Sequence, residues 1–251
     1  MSPFSRLLVP APPLLLAAAL GMTALAALVQ GTIGFGFAIV SVPVLSLVDK
    51  RLAPVPQLLV VVPLTFAMFF RERGAADLRG LGWVLVGRFP GAALGVLALK
   101  MANALTLDLL VAASVLVAVV AIATGREVPR GPLSYVVAGL TSGAFAVISS
   151  IGGPPLALLY RGAAAGELRA TLAAIFSVGV LITIGSRLIA GAISARDLAL
   201  AIWMAPALAV GMWLSRSLIK RLGDGKAFRV AVLVVAGLAG VGLVVRALLR
   251  A

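Results

Sequence analysis

Long apolar runs, separated by short charged or Gly/Pro-containing breaks, constrain this chain more than any other sequence feature. Eight runs are long enough to cross a bilayer, which takes about 20 mostly apolar residues. Two shorter runs, at 35–48 and 153–160, each directly follow a break. The pattern predicts an all-α polytopic membrane protein with eight long spans and two short broken helices. The long runs cover residues 12–30, 54–70, 81–99, 106–123, 133–149, 168–190, 197–215 and 228–248.

Composition excludes most soluble and catalytic classes of protein. Apolar residues make up 62% of the 251 residues and charged residues only 12%, so there is too little polar surface to cover a soluble globule. The chain has no His and no Cys, which excludes imidazole or thiolate metal sites and disulfides. We therefore predict no metal and no cofactor. No group of acid/base side chains occurs within the runs, so a membrane-embedded enzyme is a disfavoured alternative.

The net charge of +13 has a membrane explanation. In a soluble domain such an excess of Lys and Arg would suggest nucleic-acid binding. Here the basic residues lie mostly in short loops between apolar runs, which is typical of the positive-inside effect and of contact with anionic lipid. We expect the lipid bilayer as a partner, and no nucleic acid.

The two short runs occupy matching places in the chain, which indicates an internal repeat. Residues 31–47 (GTIGFGFAIVSVPVLSL) align with residues 143–159 (GAFAVISSIGGPPLALL). In this alignment Gly31 matches Gly143, and Pro43 matches Pro155. We therefore predict two homologous halves, 1–124 and 125–251, of about five segments each. The linker between them is predicted at residues 125–132.

If each short run completes a crossing, the second half is inverted relative to the first. Alternating the loops between the two sides gives 12 Lys or Arg on the predicted cytoplasmic side and 8 on the other, which favours this orientation. The alternative has re-entrant short segments and two parallel four-span halves, and it stays open. The twelve cytoplasmic residues would be Arg71, Arg73, Arg79, Arg126, Arg130, Arg161, Arg169, Arg216, Lys220, Arg221, Lys226 and Arg229.

The matched Gly/Pro breaks form the predicted substrate site. Unpaired backbone in a bilayer costs several kcal/mol per group, so such breaks must line a cavity or pack within protein. Paired broken helices mark the substrate site of many transporters, and half-helix N-termini near Phe35 and Pro154 would suit an anion. The alternative is that the glycines only allow close packing and the serines only satisfy freed carbonyls. The candidates at the breaks are Gly31, Gly34, Phe35, Gly36, Ser41, Pro43, Gly143, Ser149, Ser150, Gly152, Gly153, Pro154 and Pro155.

Arg88 is the other candidate for substrate binding because it lies in the middle of an apolar run. An arginine at that depth costs at least about 2.5 kcal/mol unless it faces a partner or water. None of the eight acidic residues falls near the centre of a run, so an anionic substrate is the natural counter-charge. The structural alternative is that Arg88 bonds backbone carbonyls or extends along a tilted helix to the membrane surface. Arg187 lies near the end of its run, and we expect it to extend to the membrane surface.

Two smaller features have structural interpretations. Gly87, Gly91 and Gly95 recur every four residues, which predicts a smooth helix face for close packing. Asp77 and Asp197 each precede an apolar run and are predicted to be helix N-caps.

The break sequences resemble the signature stretches of a known family. Residues 31–47, with Gly34, Phe35, Gly36 and Pro43, and residues 142–160 (SGAFAVISSIGGPPLALLY) are similar to those of the TauE/SafE family. The resemblance implies a multi-pass carrier of the bacterial inner membrane. It would export a small sulfur-containing anion, such as sulfite, sulfoacetate or a related organosulfonate, by alternating access. A passive anion channel is the nearer alternative, and a homodimer is an assembly that the sequence leaves open.

Overall fold

The computed structural model describes residues 13–124, 128–221 and 226–249. Regular structure in these ranges is helical throughout, without a strand. Within the described ranges, eight helical stretches are long and apolar enough to cross a membrane. The predicted all-α polytopic fold is therefore confirmed. Residues 125–127 of the predicted linker lie outside the described part of the chain, as do the side chains of Lys220, Arg221, Lys226 and Arg229.

Eleven α-helices follow one another in the described ranges, and the two predicted short runs are the second and the eighth. Short 3-10 turns at Lys50–Leu52 and Arg73–Ala75 lie between some of them. The helices are α1 (Pro13–Ile33), α2 (Phe37–Val48), α3 (Val55–Val60), α4 (Val62–Glu72), α5 (Leu81–Met101), α6 (Ala104–Thr124), α7 (Pro132–Ser149), α8 (Gly153–Leu159), α9 (Ala165–Ile189), α10 (Ala195–Arg221) and α11 (Lys226–Leu248).

The apolar run at 54–70 forms two helices instead of the single helix that we predicted. Helices α3 and α4 meet at Val61. Pro63 has no N–H to donate to the carbonyl of Leu59, so an uninterrupted helix would lose a hydrogen bond at this point. The interruption lies beside a central cavity, which Val61 helps to line.

Ion pairs define one end of the helix bundle, which we call the arginine-rich end. Arg130 lies 3.4 Å from the carboxylate of Asp77 and 3.2 Å from that of Glu167. Two residues further along the chain from Glu167, Arg169 lies 2.9 Å from the carboxylate of Glu72. These pairs connect the loop before α7 with the loop before α5 and with the start of α9, and they connect the start of α9 with the end of α4.

The opposite end of the bundle carries the ion pair of Lys50 and Asp108. Helix α2 ends two residues before Lys50, so it runs from the centre of the bundle to this opposite end. Helix α8 instead runs to the arginine-rich end, where Arg130 Nε donates a hydrogen bond to the carbonyl of Leu159 at 3.1 Å. The two short helices therefore leave the centre in opposite directions.

Two helix pairs, α5 with α7 and α1 with α10, pack so closely that their backbones touch. A Cβ on Gly91 would lie 2.1 Å from the carbonyl oxygen of Leu140, and one on Gly211 would lie 2.1 Å from that of Ala24. The close packing predicted for one α5 face is confirmed, and α7 is its partner. That face consists of Gly87, Gly91 and Gly95.

The predicted N-cap roles of Asp77 and Asp197 are wrong. Helix α10 begins at Ala195, and the hydroxyl of Ser194 accepts a hydrogen bond from the Asp197 N–H at 3.3 Å. The Asp197 carboxylate in turn accepts from the Ser194 N–H at 2.8 Å, which makes a capping box with Ser194 as the cap. Asp77 precedes α5 by several residues, and the N-cap position there is occupied by Gly80.

Candidate functional site

Left-handed backbone interrupts the chain between each long helix and the short helix that follows it. After α1, Gly34 and Gly36 have φ angles of +103° and +114°, which glycine adopts without a steric penalty. After α7, Ser150 has a φ of +63°, and its hydroxyl donates to the carbonyl of Pro54 at 3.1 Å. These turns redirect the chain into α2 and α8.

The two breaks face each other across a small central cavity. A Cβ on Gly153 would lie 3.4 Å from the Cβ of Phe35, so the two breaks are in near contact. The cavity has a volume of about 70 Å³, which corresponds to roughly five water-sized volumes. Its other lining residues come from α1, α2, α3, α4, α5, α7 and α9.

The structure brings six of the fourteen sequence candidates together around this cavity. They are Phe35, Gly36, Arg88, Ser150, Gly152 and Gly153. The other eight do not line it, and they are Gly31, Gly34, Ser41, Pro43, Gly143, Ser149, Pro154 and Pro155.

Several of these eight residues have identifiable structural contacts. The hydroxyls of Ser41 and Ser149 donate to carbonyls one turn earlier in their own helices, at 2.9 and 2.8 Å. A Cβ on Gly143 would lie 2.5 Å from the carbonyl oxygen of Arg88, so this glycine belongs to the α5–α7 contact. Pro43 lies inside α2.

Arg88 is a cavity residue whose guanidinium is shielded from solvent. The residue is 3% exposed, and its Nη1 donates to the hydroxyl of Ser142 at 2.7 Å. Its Nη2 lies 3.5 Å from the hydroxyl of Thr183, while its Nε has no hydrogen-bond partner in the described part of the chain. Both partners are neutral hydroxyls. The predicted alternative, bonding of Arg88 to backbone carbonyls, is not what its contacts show.

The positive charge of Arg88 has no nearby negative partner in the described residues. The ion pairs found there all lie at the two ends of the bundle and involve other arginines and lysines. A buried guanidinium without a carboxylate favours the binding of an anion, because an anion would supply the missing charge and accept from the free N–H group.

Sequence reasoning missed several residues that line the cavity. Gln30 and Gln57 are the only glutamines in the chain, both are buried, and both face the cavity. Their isolation inside apolar runs was a signal that could have identified them. The remaining missed residues carried no such signal, because their periodicity is that of ordinary helix core. They include Leu58, Val61, Thr65, Phe176, Val180 and Thr183.

Comparison with known proteins identifies the family. The family model for the sulfite exporter TauE/SafE matches residues 18–243. The chain belongs to the TauE/SafE family. Searches of curated proteins and of solved structures give no match.

Membership in TauE/SafE assigns the broad function. The chain is a multi-pass membrane transporter and not an enzyme, because the family consists of exporters and the described part of the chain contains eight membrane-spanning candidates. Its substrate class is a small anion, and its surroundings are membrane lipid. The unpaired guanidinium in the central cavity agrees with that substrate class.

Arginines satisfy the carbonyl ends of both helices that precede the TauE/SafE breaks. Arg71 donates to the carbonyl of Gly31 at 3.2 Å, near the end of α1. Arg187 donates to the carbonyls of Val147 and Ile148 at 2.7 and 2.9 Å, near the end of α7. The prediction that Arg187 extends to the membrane surface is therefore wrong, since it is 2% exposed. A positive charge is favourable at a helix C-terminus, and the bonds also satisfy carbonyls freed by the break.

Gly179 makes room for the guanidinium of Arg88, and we expect Gly179→Ala to weaken transport. A Cβ at this position would lie 2.4 Å from Cζ of Arg88, so the guanidinium must move. It is the flexible end of a long side chain, so the fold should survive. We expect anion affinity to fall about 10-fold, equivalent to about 1.4 kcal/mol, as measured by the substrate concentration at half-maximal efflux.

Gly185→Ala is the matched control for this prediction. Gly185 lies on the same helix, and a Cβ there would meet nothing within 4 Å. Unchanged affinity in Gly179→Ala, or an equal loss in both variants, would contradict a specific effect on Arg88.

Proposed function

We propose that this chain exports a small sulfur-containing anion, such as sulfite or an organosulfonate, by alternating access, with the substrate bound in the central cavity. The observation that carries the proposal is the guanidinium of Arg88, which is buried in the cavity wall and has no carboxylate partner among the described residues. In the proposed site, Phe35, Gly36, Ser150 and Gly153 surround the anion. The candidates that do not line the cavity shape the breaks or pack the helices.

The N-terminus of α2 supports anion binding at this place. Ala38 and Ile39 lie in its first turn and line the cavity, where amide N–H groups and the positive end of the helix dipole are available. The first amide, that of Phe37, donates to the side chain of Gln30 at 3.3 Å. Arg88 and this helix end therefore provide two sources of positive potential on the same cavity.

The size of the cavity favours compact substrates. A volume of about 70 Å³ accommodates roughly five water-sized volumes, which suits sulfite better than a long-chain sulfonate. Larger organosulfonates would need the cavity to open further. We therefore expect sulfite to bind more tightly than sulfoacetate or taurine.

We further propose that the two halves, 1–124 and 125–251, are inverted repeats. Helix α5 of the first half packs on α7 of the second, and α10 of the second half packs on α1 of the first. In the proposed repeat α1 corresponds to α7 and α5 corresponds to α10, so the two contacts are equivalent. The opposite directions of α2 and α8 also support inversion. Rocking of one repeat against the other would open the central site to each side in turn.

The arginine-rich end is proposed to face the cytoplasm of a bacterial inner membrane. The described members of the predicted cytoplasmic set include Arg71, Arg130 and Arg169, and these lie at that end. Moving a monovalent anion out of a negative-inside cell is favourable by about 2.3 kcal/mol per 100 mV, so export needs no coupled ion.

Assembly of the chain into a homodimer stays a prediction.

Transport by purified protein in liposomes tests this function. Proteoliposomes are loaded with labelled sulfite, sulfoacetate or taurine, and efflux is measured with and without a pH gradient. We expect protein-dependent efflux in all three cases, fastest for sulfite, and no requirement for the pH gradient. Absence of efflux for every sulfur oxyanion would contradict the substrate assignment.

A further inference from the structure

Gln57 is the second polar side chain whose bonding in the cavity is incomplete. Its Nε2 lies 3.4 Å from the carbonyl oxygen of Leu52 and 3.2 Å from Sδ of Met204. Both neighbours are acceptors, so the amide atom that faces them must be the NH₂ group. Consequently the atom left over is the carbonyl oxygen, Oε1.

The Oε1 atom of Gln57 is buried and has no hydrogen-bond partner among the residues that the structure describes. The residue is 1% exposed and lines the same cavity as Arg88. A buried carbonyl oxygen without a donor is unfavourable, so a donor is expected to reach it in the loaded protein. The surrounding cavity residues on α3 and α4 do not provide one, because Leu58 and Val61 are apolar and the hydroxyl of Thr65 donates to Val62 at 2.8 Å.

The cavity thus offers two complementary groups to one small ligand. Arg88 offers N–H donors and a positive charge, which an oxyanion satisfies. Gln57 offers only an acceptor, its Oε1 atom. An oxyanion of the ligand would be repelled by this atom, and a methyl group of the ligand could not donate a hydrogen bond to it. The cavity is so small, about 70 Å³, that a compact bound anion would lie near both groups.

We propose that Gln57 determines substrate specificity by accepting a hydrogen bond from the transported anion. The preferred substrate is then a monoanion that carries an O–H group besides its oxyanion, as hydrogensulfite and hydroxyalkyl sulfonates do. The inference rests on the proposed transport of sulfur oxyanions through this cavity. It adds a preference among anions that the charge of Arg88 alone does not impose.

Two sulfonates with the same number of non-hydrogen atoms test the proposal. Isethionate ends in a hydroxyl group where 1-propanesulfonate ends in a methyl group. Each is added as a competitor of labelled sulfite transport in proteoliposomes. We expect isethionate to inhibit at a concentration at least about 10-fold lower than 1-propanesulfonate does, since 1-propanesulfonate cannot donate the hydrogen bond and leaves Oε1 unpaired.

Replacing the acceptor should remove this preference. In Gln57→Met, a side chain of similar length without the carbonyl, we expect the two competitors to become about equally potent, mainly because isethionate loses affinity. Ser177→Ala is the control. Ser177 is buried in α9 and bonds its own helix, at 2.8 Å to the carbonyl of Ala173, so this variant should keep the preference.

The possible outcomes distinguish a failure of the Gln57 role from a failure of the proposed transport function. Sulfite transport with equal inhibition by both competitors in the wild-type chain would overturn the role of Gln57 and leave the proposed function standing. This comparison needs no variant, so it decides the question even if Gln57→Met fails to fold. Retention of the full preference in folded Gln57→Met would also overturn the role of Gln57. No transport of sulfite would overturn the proposed function, and this inference with it.

Discussion

Replacing Arg88 by methionine is expected to lower sulfite efflux about 100-fold without lowering the thermal stability of the protein. The anion would lose at least one charge-assisted hydrogen bond, worth about 1.5–3 kcal/mol, together with its counter-charge. The fold would lose little, because the guanidinium bonds only the hydroxyls of Ser142 and Thr183 and its charge is unpaired within the described residues. Removing a buried unpaired charge can even stabilise a protein.

Efflux and melting temperature must therefore be measured on the same preparations. Arg88→Lys, which keeps the charge but not the planar fork of donors, should give an intermediate rate. Arg79→Met is the control, because Arg79 lies in the loop before α5 and its side chain is 94% exposed. Unchanged efflux in Arg88→Met would contradict the proposed site. A large fall in melting temperature would indicate a structural role instead.

The second large effect is expected on folding, from Gly91→Ala. The added Cβ would lie 2.1 Å from the carbonyl oxygen of Leu140, and a backbone atom cannot move aside without separating α5 from α7. Overpacking of this kind typically costs about 1–3 kcal/mol and occasionally more. We expect a clear fall in melting temperature in detergent and a smaller monodisperse fraction in size-exclusion chromatography.

Gly82→Ala provides the matched control on the same helix. A Cβ at Gly82 would meet nothing within 4 Å, so alanine should be neutral or slightly stabilising there. Equal melting temperatures for Gly91→Ala and the wild-type chain would contradict the close α5–α7 contact.

Helix positions and the depth of Arg88 could be predicted from the sequence because both follow from the one-dimensional pattern of apolar residues. The two short helices were likewise marked by their glycines and prolines. In contrast, the identity of a bonding partner depends on which helices become neighbours. Arg187 illustrates this limit. Its place near the end of a run suggested the membrane surface, yet α7 ends beside it and supplies two carbonyls.

The same limit explains which site residues sequence reasoning found. Phe35, Gly36 and Gly153 could be predicted because they are part of the breaks themselves. Thr183 and Val180 could not, because they differ from other α9 core positions only in facing Arg88 and the cavity. The capping box of Ser194 and Asp197 was missed because we predicted the N-cap at Asp197, three residues after the actual cap, Ser194.

Counterflow of labelled sulfite distinguishes a carrier with one central anion site from a channel. Proteoliposomes containing the wild-type chain are loaded with unlabelled sulfite, and the entry of dilute labelled sulfite is followed. For a carrier we expect a transient accumulation of label inside that saturates with substrate concentration and is nearly abolished in Arg88→Met. Entry that rises linearly with concentration and shows no accumulation would contradict alternating access and indicate a channel.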